Sequence, residues 1–400
     1  MKILVLSFYF RPDLSAGSFR ATALVDALRK LAPIGTQIDV ITTLPNRYHS
    51  FAADPADAPV SEEHTGVSIA RISLPRHKSG FVDQSKAFLT FVRRAIKQTD
   101  GRDYDVVFAT SSRLMTAVLG AWIARRAKAP LYLDIRDIFV DTIKDVLPRP
   151  AAWIARPFFS RLERWAINRA AKVNLVSAGF AHYFSSRYPR HRFSYFTNGI
   201  DEEFLPRESV EPARRLSADG HRQLTVLYAG NLGEGQGMHT IVPRLAQRMG
   251  PRVQFKIIGD GGRKPALEMA LSALGVTNVE LLPPVKREEL LVAYRAADVL
   301  FLHLNDYDAF KKVLPSKLFE YAALGKPVWA GVAGYAADFV ASEIDNSAVF
   351  QPCDVDGAIS SFERLRLSDE PRTAFVEKYA RAKISGDLAA DILAVARSGH

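Results

Sequence analysis

The sequence predicts an α/β fold of two domains, each built around a parallel sheet. Its 400 residues are more than one hydrophobic core comfortably fills, which predicts at least two domains. The order strand, glycine loop, helix occurs at residues 3–31 and again at residues 224–238, where the α/β pattern restarts. We therefore assign a first domain to residues 1–205, a second to residues 206–375 and a closing helical segment to residues 376–400.

Composition indicates an ordinary globular protein of a reducing compartment. Hydrophobic residues make up 48% of the chain and charged residues 24%. The single cysteine, Cys353, excludes an internal disulfide framework and suits the cytoplasm. The apolar run before Arg11 is too short to span a membrane, and no small-residue cleavage site follows it. We interpret that run as a buried first strand.

The excess positive charge is confined to the first half of the chain. The net charge is +10, and residues 1–205 contain 29 Lys and Arg against 19 Asp and Glu, which accounts for all of it. Such an excess predicts an anionic partner for this half, either nucleic acid or an acidic membrane surface.

The first half begins with a strand at residues 3–10 and a small-residue stretch that contains Gly17. A helix is expected to follow at residues 19–31. This arrangement lets backbone N–H groups approach a phosphate, although a tight turn uses the same glycine. We expect a loop at residues 46–63, and strands at residues 40–42, 67–72, 106–109 and 173–177.

Two amphipathic segments of the first half combine basic with aromatic residues. Residues 81–97 place Phe88 and Phe91 on one side of a helix and basic residues elsewhere. Residues 144–172 contain seven Lys and Arg, interleaved with Trp and Phe. Each pattern is typical of a core helix with a solvated face, and also of a helix at an anionic membrane surface. The sequence leaves both interpretations open.

Charged residues close a further strand of the first half. The strand at residues 130–137 ends in Asp134, Arg136 and Asp137. Open α/β sheets bind ligands at the carboxyl ends of their strands, although a salt bridge between loop residues would use the same residue types. Arg136 and Asp137 are therefore candidate site residues.

The second half restarts with a strand that runs into a glycine-rich loop before the helix that Met238 begins. Its four glycines would let the chain approach a diphosphate closely and aim the helix N-terminus at it, although an unliganded turn has the same composition. The candidate residues of this loop are Gly230, Asn231, Gly233 and Gln236.

Two further strand ends contribute candidates. A strand at residues 253–258 runs into Gly259 and Asp260, and a strand at residues 279–282 precedes Pro284 and Val285. All of these residues would lie at the ligand-binding edge of the second sheet.

A helix, a turn and a strand are expected between residues 315 and 331. Pro315 fits the first helical turn, Ser316 can cap it, and Gly325 fits a helix end. Lys317 and Glu320 lie three residues apart near the helix N-terminus, where phosphate binds readily. A surface ion pair has the same spacing, so both interpretations stand.

The stretch LPSKLFEYAALGKPVWAG, residues 314–331, resembles the donor-nucleotide helix of the family 4 retaining glycosyltransferases. The resemblance is strong over residues 224–340 and looser before them. It implies the GT-B fold, in which two Rossmann-like domains face each other across a cleft and the last helix crosses back to the first domain. The Pro-Ser-Lys form resembles a bacterial branch that builds surface polysaccharides, including N-acetylfucosamine transferases.

The resemblance also implies roles for residues of the second domain. Glu320 matches the Glu that holds the ribose hydroxyls of the donor, whereas Lys312 stands where the family pattern has another Glu. Asn231 and Gln236 stand where most relatives have Arg and Lys to grip the diphosphate. Lys317 is expected to supply the missing positive charge.

The implied activity is that of a retaining glycosyltransferase of the hexosyltransferase type. The implied substrates are a nucleotide sugar, UDP-linked rather than GDP-linked, and a polyprenyl-diphosphate-linked saccharide at the inner face of the cell membrane. In this reading Gly17 faces the donor phosphates. Arg136, where many relatives carry a His, and Lys317 stabilise the departing diphosphate, and Asp137 is a polar residue of the cleft.

We expect neither a metal nor a cofactor, because no Asp-x-Asp sits at a predicted strand end and no His and Cys cluster has ligand spacing. Nucleic acid is not an expected partner, because the basic residues alternate with amphipathic apolar faces instead of forming a recognised binding motif. Two alternatives remain: a sugar-nucleotide epimerase, which shares the two-domain plan, and a non-enzymatic module that binds an anionic ligand.

Overall fold

The computed structural model describes residues 1–13, 15–45, 58–75, 81–111, 114–140, 149–205, 215–216 and 222–398. The chain divides into two compact units. Unit 1 comprises Met1–Gly199 and Arg381–His400, and unit 2 comprises Ile200–Ala380. Three stretches named in the sequence analysis lie outside the described residues: residues 206–214 and 217–221 at the start of the predicted second domain, residues 46–57 of the predicted loop, and residues 144–148 of the basic segment.

The strands of unit 1 are β1 (Lys2–Leu6), β2 (Gln37–Thr43), β3 (Ser61–His64), β4 (Val67–Ile72), β5 (Val106–Ser111), β6 (Leu131–Ile135), β7 (Lys172–Leu175) and β8 (Phe193–Ser194). Those of unit 2 are β9 (Arg215–Leu216), β10 (Arg222–Ala229), β11 (Val253–Ile258), β12 (Val279–Leu282), β13 (Val299–His303), β14 (Val328–Gly331) and β15 (Ser347–Phe350).

The helices of unit 1 that precede unit 2 are α1 (Ala16–Leu31), α2 (Phe81–Thr99), α3 (Leu114–Arg126), α4 (Arg149–Arg169) and α5 (Ala181–Arg187). Unit 2 contains α6 (Met238–Met249), α7 (Lys264–Ala273), α8 (Arg287–Ala296), α9 (Lys317–Ala323), α10 (Tyr335–Glu343), α11 (Val355–Phe362) and α12 (Thr373–Tyr379). The last helix, α13 (Arg381–Ser398), belongs to unit 1.

The sheet of unit 1 has the order β3-β4-β2-β1-β5-β6-β7-β8. All neighbouring strands are parallel except β3 and β4. Leu24 of α1 shares a hydrophobic core with Leu388 and Ile392 of α13 and with Val5 of the central strand. The last helix of the chain therefore completes the core around the first strand.

Strand β3 lies in a stretch that the sequence predicted as loop, so that prediction is wrong for residues 61–63. The strand is polar and sits at the sheet edge, where it pairs antiparallel with β4. Arg71 of β4 fixes it, because its guanidinium pairs with Glu62 at 2.7 Å and donates to the Pro59 carbonyl at 2.9 Å. A short polar strand of this kind has no apolar alternation for a sequence to show.

Helix α1 begins earlier than predicted. Ser15 is its N-cap, and the Ser15 hydroxyl accepts a hydrogen bond from the Ser18 backbone N–H at 3.2 Å. Gly17 therefore lies in the first turn of α1 and not in a loop before the helix.

Helix α2 is a core helix with a solvated face. Phe88 is 7% exposed and Phe91 is fully buried, and both rings contact Phe8 with centroids 6.0 and 5.2 Å away. Arg93 and Arg94 are exposed. The membrane interpretation of Phe88 and Phe91 is therefore wrong, because both rings already belong to the core of unit 1.

A buried polar network links α1 to the centre of the sheet of unit 1. Arg20 donates to both carboxylate oxygens of Asp134 at 2.9 and 2.8 Å, and both side chains are nearly inaccessible to solvent. Asn174 donates to the same carboxylate at 2.7 Å. Arg20 also donates to the backbone carbonyls of Phe196 and Thr197. Burial alone would raise the pKa of Asp134, but Arg20, Arg136 and Asn174 together outweigh it and hold that pKa below its usual range.

The sheet of unit 2 has the order β12-β11-β10-β13-β14-β15 with all neighbours parallel, and the short β9 pairs antiparallel with β10. Hydrophobic clusters pack against it, one around Phe319 and Val340 and another around Ile241 and Trp329. Because β11, β10 and β13 are parallel neighbours, their carboxyl ends lie side by side at one edge of the sheet.

Helix α9 is a seven-residue helix fixed mainly at its carboxyl end. Arg372 donates to the carbonyls of Ala322 and Lys326, each at 3.0 Å, and Gly325 has a positive φ of 72° as a helix end requires. Ser316 precedes the helix, but its side chain makes no capping hydrogen bond, so the predicted cap is wrong. Ser316 already has helical backbone angles, which explains the absence of a cap.

We expect Asp134→Asn to lower the free energy of unfolding of unit 1 by about 3–5 kcal/mol, because it leaves the Arg20 charge buried without its partner. Asp100→Asn is the matched control, since its 2.8 Å pair with Arg126 is exposed and should be worth less than about 1 kcal/mol. Chemical denaturation of both variants measures the difference. Acid should also destabilise the wild type, because stability from a carboxyl with a lowered pKa is lost as the pH falls below about 4. Equal stability of the two variants would contradict this account.

Candidate functional site

The predicted site residues of unit 1 lie together at the carboxyl edge of its sheet. Arg136 follows β6, and its Nη1 atom would lie 3.4 Å from a Cβ atom built on Gly17. The same nitrogen approaches the Ala16 carbonyl at 3.5 Å, and the Arg136 backbone N–H faces the Ser111 hydroxyl at 3.4 Å. Asp137 is exposed beside Arg136. Because Gly17 has no side chain, the guanidinium can lie directly on the first turn of α1.

Electrostatics keep Arg136 a cation in this position. Burial, followed by repulsion from Arg20, lowers the pKa of the Arg136 guanidinium to about 10, and Asp134 and Asp137 oppose that shift. The group therefore stays protonated near neutral pH. A half-buried cation at this edge can attract an anionic ligand group.

Lys317 lies against the glycine-rich loop of unit 2. A Cβ atom built on Gly230 would come within 2.5 Å of Lys317 Cε and 3.1 Å of Lys317 Nζ. The absence of a side chain at Gly230 therefore allows the ammonium group to reach the start of the loop. Tyr228, at the end of β10, restrains the loop, because its hydroxyl donates to the Asn231 carbonyl at 2.7 Å.

Gln236 organises the interior of the loop. Its side-chain oxygen accepts hydrogen bonds from the Asn231 amide at 2.9 Å and from the Gly233 backbone N–H at 3.3 Å. Gly237 follows with a left-handed φ of 58°, and α6 begins at Met238. Asn231 and Gln236, predicted as ligand-binding residues, are thus partly engaged in holding the loop.

The loops that follow β10 and β11 touch through their glycines. A Cβ atom built on Gly259 would overlap the Gly230 carbonyl oxygen, so only glycine fits there. Asp260 connects the same loops, because its carbonyl accepts from the Leu232 backbone N–H at 2.8 Å. The Asp260 carboxylate accepts from the Gly261 backbone N–H at 2.8 Å and so stabilises its own turn.

Glu320 lies half-buried in α9, near Arg287 of α8. Burial opposes the charge of Arg287, but Asp201, Glu203 and Glu320 outweigh it and raise the pKa of that guanidinium. Arg287 donates to Asp201 at 2.5 Å. Glu320 thus has a cationic neighbour, Arg287, that was not identified from the sequence.

Pro284 and Val285 follow β12 at the same sheet edge, and Val285 packs against the hydrophobic cluster around Phe319. The predicted residues that follow β10, β11 and β12, together with Ser316 and Lys317 at the start of α9, therefore all lie at the carboxyl edge of the sheet of unit 2.

Residues that follow β13 brace the glycine-rich loop and were missed from the sequence. Asn305 donates to the Glu234 carbonyl at 3.0 Å, and the Tyr307 hydroxyl donates to the Glu234 carboxylate at 2.7 Å. Tyr307 above all, with Arg263, lowers the pKa of Glu234. Fully buried His303 ends the same strand. A polar group at the end of an apolar strand is the signal that identified Arg136, and it would have identified His303 as well.

An Asp-x-Asp sequence follows β13, which corrects the expectation that none occurs at a strand end. Lys311 Nζ lies 3.0 Å from Asp308 and 3.9 Å from Asp306, so its ammonium group forms ion pairs with both carboxylates. Among the residues that the structure describes, no group of three or more His, Cys, Asp or Glu side chains is arranged to hold a metal ion. The described helices include none that is long and apolar enough to cross a membrane.

Two family models match the chain. The Glycosyl transferase 4-like domain matches residues 20–199, and Glycosyl transferases group 1 matches residues 211–383. A putative colanic acid biosynthesis glycosyl transferase, WcaI of Escherichia coli (strain K12), is 31% identical over 100 residues, which are 25% of this chain and 24% of that protein. The match thus spans about a quarter of the curated relative.

Solved structures resemble the chain over nearly its whole length. HepE of Anabaena, crystallised with UDP and glucose, has a TM-score of 0.66 at 16% identity, covering 98% of this chain and 99% of that one. WaaG, a glycosyltransferase involved in lipopolysaccharide biosynthesis, has a TM-score of 0.62 at 13% identity, covering 99% and 98%. Together with the two parallel sheets, these likenesses confirm the predicted GT-B fold of two Rossmann-like domains.

We expect Gly259→Ala to lower the free energy of unfolding of unit 2 by about 1–3 kcal/mol, because the new Cβ would overlap the Gly230 carbonyl oxygen, which is backbone and has no rotamer to adopt. Gly262→Ala, in the same turn, is the control, since a Cβ there meets nothing within 4 Å and should change stability by less than about 0.5 kcal/mol. Urea denaturation compares them. The contact between the loops is unimportant if both variants unfold at the same denaturant concentration.

Proposed function

Because the chain belongs to the glycosyltransferases of the 4-like and group 1 families, we propose that it transfers a sugar, with retention, from a nucleoside diphosphate to a saccharide acceptor. The observation that supports this most directly is the Lys317 ammonium against Gly230, at the start of a glycine-rich loop whose backbone approaches the next strand end closely. Both family models describe glycosyl transferases, which favours this reaction over the epimerase and the non-enzymatic binding module.

The donor diphosphate would bind at the glycine-rich loop. Backbone N–H groups of a loop that leads into a helix N-terminus suit phosphate oxygens, and Lys317 adds one positive charge there. The same groups would stabilise the departing diphosphate as its negative charge develops. Arg136, a cation near neutral pH, is the second group that we propose acts on a negative charge of the substrates, at the sheet edge of unit 1. With two cations in these roles we propose a reaction without a metal or a cofactor.

The nucleoside would bind beside α9. Glu320 can accept hydrogen bonds from two ribose hydroxyls, and Arg287 balances its charge when no nucleotide is bound. Pro284 and Val285, which follow β12, would line the pocket that receives the base of the nucleotide. We propose a UDP-linked donor, in keeping with HepE, whose structures contain UDP and UDP-glucose. Asp137 would contact the sugar or the acceptor from unit 1.

The acceptor that we propose is a polyprenyl-diphosphate-linked saccharide in bacterial surface polysaccharide synthesis. WcaI is named for colanic acid biosynthesis and WaaG for lipopolysaccharide biosynthesis, and these names support a role in the synthesis of a bacterial polysaccharide. An enzyme that works on a lipid-linked acceptor has to reach the membrane, so we propose a cytoplasmic protein bound to the inner face of the cell membrane.

Helix α4 carries the surface that fits this membrane role. Trp153 is 82% exposed and Phe158 is 58% exposed, which is unusual for such large apolar side chains. Arg156, Arg161 and Arg164 of the same helix are also exposed. Aromatic rings at headgroup depth with arginines on anionic lipid are what an interfacial helix requires. The membrane proposal therefore rests on α4 and not on α2.

Glu320→Ala should weaken UDP binding by about 1.5–3 kcal/mol, because charged hydrogen bonds to the ribose are lost. Lys317→Ala should lower kcat by a larger factor than it raises the Kd for UDP, since its charge acts on the departing diphosphate. Calorimetry with UDP and GDP, and sugar transfer from radiolabelled UDP-sugars, provide the measurements.

Lys311→Ala is the control, because this exposed lysine pairs with Asp308 and should affect neither quantity. Normal UDP affinity in folded Glu320→Ala would refute the ribose role, and normal kcat in Lys317→Ala would refute the diphosphate role. Binding of GDP in preference to UDP would overturn the proposed base.

For the membrane proposal, the protein should sediment with phosphatidylglycerol vesicles and not with phosphatidylcholine vesicles. Each arginine near an anionic surface contributes about 1 kcal/mol, so Arg161→Glu with Arg164→Glu should abolish most of the binding. Arg93→Glu with Arg94→Glu on α2 is the matched control and should have a much smaller effect. About 0.5 M salt should release the wild type by screening. Equal effects of the two double variants would contradict a specific role of α4.

A further inference from the structure

A fully buried histidine lies beneath the glycine-rich loop of unit 2. The His303 ring packs against Phe301 and Phe350, whose centroids are 6.3 and 6.1 Å away. A Cβ atom built on Gly331 would overlap the ring, and one built on Gly237 would lie 3.1 Å from its Cε1 atom. The ring is therefore held closely by aromatic neighbours and by two glycines that leave room for it.

The two ring nitrogens of His303 have different roles. The Cys353 backbone N–H donates to Nε2 at 2.9 Å, so Nε2 carries no proton. In the neutral ring the proton is then on Nδ1, which donates to the Gln236 carbonyl oxygen at 2.7 Å. Burial lowers the pKa of His303 to about 4, so this neutral form persists near neutral pH.

Gln236, whose carbonyl accepts this hydrogen bond, contacts both ends of the glycine-rich loop. The side chain of the same residue holds Asn231 and the Gly233 backbone N–H at the start of the loop. The next residue, Gly237, turns the chain into α6. A fixed Gln236 carbonyl therefore fixes both ends of the loop, and with them the directions of its backbone N–H groups.

We propose that His303 is a positioning residue, which holds the Gln236 carbonyl and thereby keeps the glycine-rich loop in the conformation that receives a nucleoside diphosphate. The ligand named here rests on the proposed function, whereas the holding of the loop is a property of the chain itself. An apolar residue at position 303 would fill the core equally well. It would, however, remove the hydrogen bonds that His303 makes with the Gln236 carbonyl and the Cys353 N–H.

Two variants separate positioning from simple packing. The side-chain amide nitrogen of Asn falls near the place of Nδ1, and the side-chain amide oxygen of Gln can be placed near Nε2. His303→Asn therefore retains a donor for the Gln236 carbonyl and loses the acceptor for the Cys353 N–H. His303→Gln retains an acceptor for the Cys353 N–H and loses the donor to the Gln236 carbonyl. Each variant loses one hydrogen bond and part of the ring, so their melting temperatures should fall by similar amounts.

Hydrogen exchange of the amides at residues 230–237 reports the state of the loop without any ligand. In His303→Gln we expect this exchange to be about tenfold faster than in the wild type, and the Kd for UDP to be about tenfold higher, the size expected for a lost buried hydrogen bond. In His303→Asn both quantities should stay within about threefold of the wild type. kcat should change less than Kd in both variants, because the histidine does not touch the substrate.

Three other results would lead to different conclusions about His303 or about the diphosphate site. If both variants lose loop protection equally, or neither loses it, His303 is a packing residue and the proposal is wrong. If exchange differs as expected but UDP affinity does not, the loop is positioned but is not the diphosphate site. If the wild type binds no nucleoside diphosphate, the proposed function fails, while the exchange comparison still decides the role of His303.

Discussion

The buried ion pair between Arg20 and Asp134 is the interaction on which unit 1 depends most. Two charges in a protein interior lose their hydration, and that loss is offset here by a two-point contact and by the Asn174 amide. The same guanidinium holds the carbonyls of Phe196 and Thr197. One side chain thus connects the first helix, the centre of the sheet and the chain that leaves it. Arg136 borders this network: burial is the main cause of its lowered pKa, and the charges of Arg20 and Asp134 come next.

Unit 2 positions its candidate groups by close backbone contact. Gly230 and Gly259 let the loops after β10 and β11 touch, and the space above Gly230 is filled by Lys317. Two neutral hydrogen bonds then fix the loop: the Gln236 side-chain oxygen accepts from the Gly233 backbone N–H, and His303 donates to the Gln236 carbonyl. This arrangement leaves backbone N–H groups and the Lys317 ammonium at the sheet edge, and such groups bind an anionic ligand with little reorganisation.

The sequence predicted the order of elements well, because buried parallel strands and glycine loops leave local patterns. The first strand, which was predicted at residues 3–10 and lies at Lys2–Leu6, and the helix that begins at Met238 were both found by such patterns. The partners of Arg20 and His303 could not be found in this way, since Asp134 is 114 residues from Arg20 and Gln236 is 67 residues from His303. Nor could periodicity decide whether the apolar face of α2 meets the core or a membrane, because both environments select the same spacing.

The assignment of α13 to unit 1 has a consequence for the order in which this protein can fold during synthesis. Leu388, Ile392 and three other buried residues of α13 complete a core whose remaining buried members lie in the first 132 residues, yet Ile200–Ala380 must be translated between them. At about 5–20 residues per second the ribosome needs roughly 10–40 s for that segment. Throughout this interval the apolar surface of α1 and β1 lacks the residues of α13 that cover it, so unit 1 cannot complete its core until unit 2 has been synthesised.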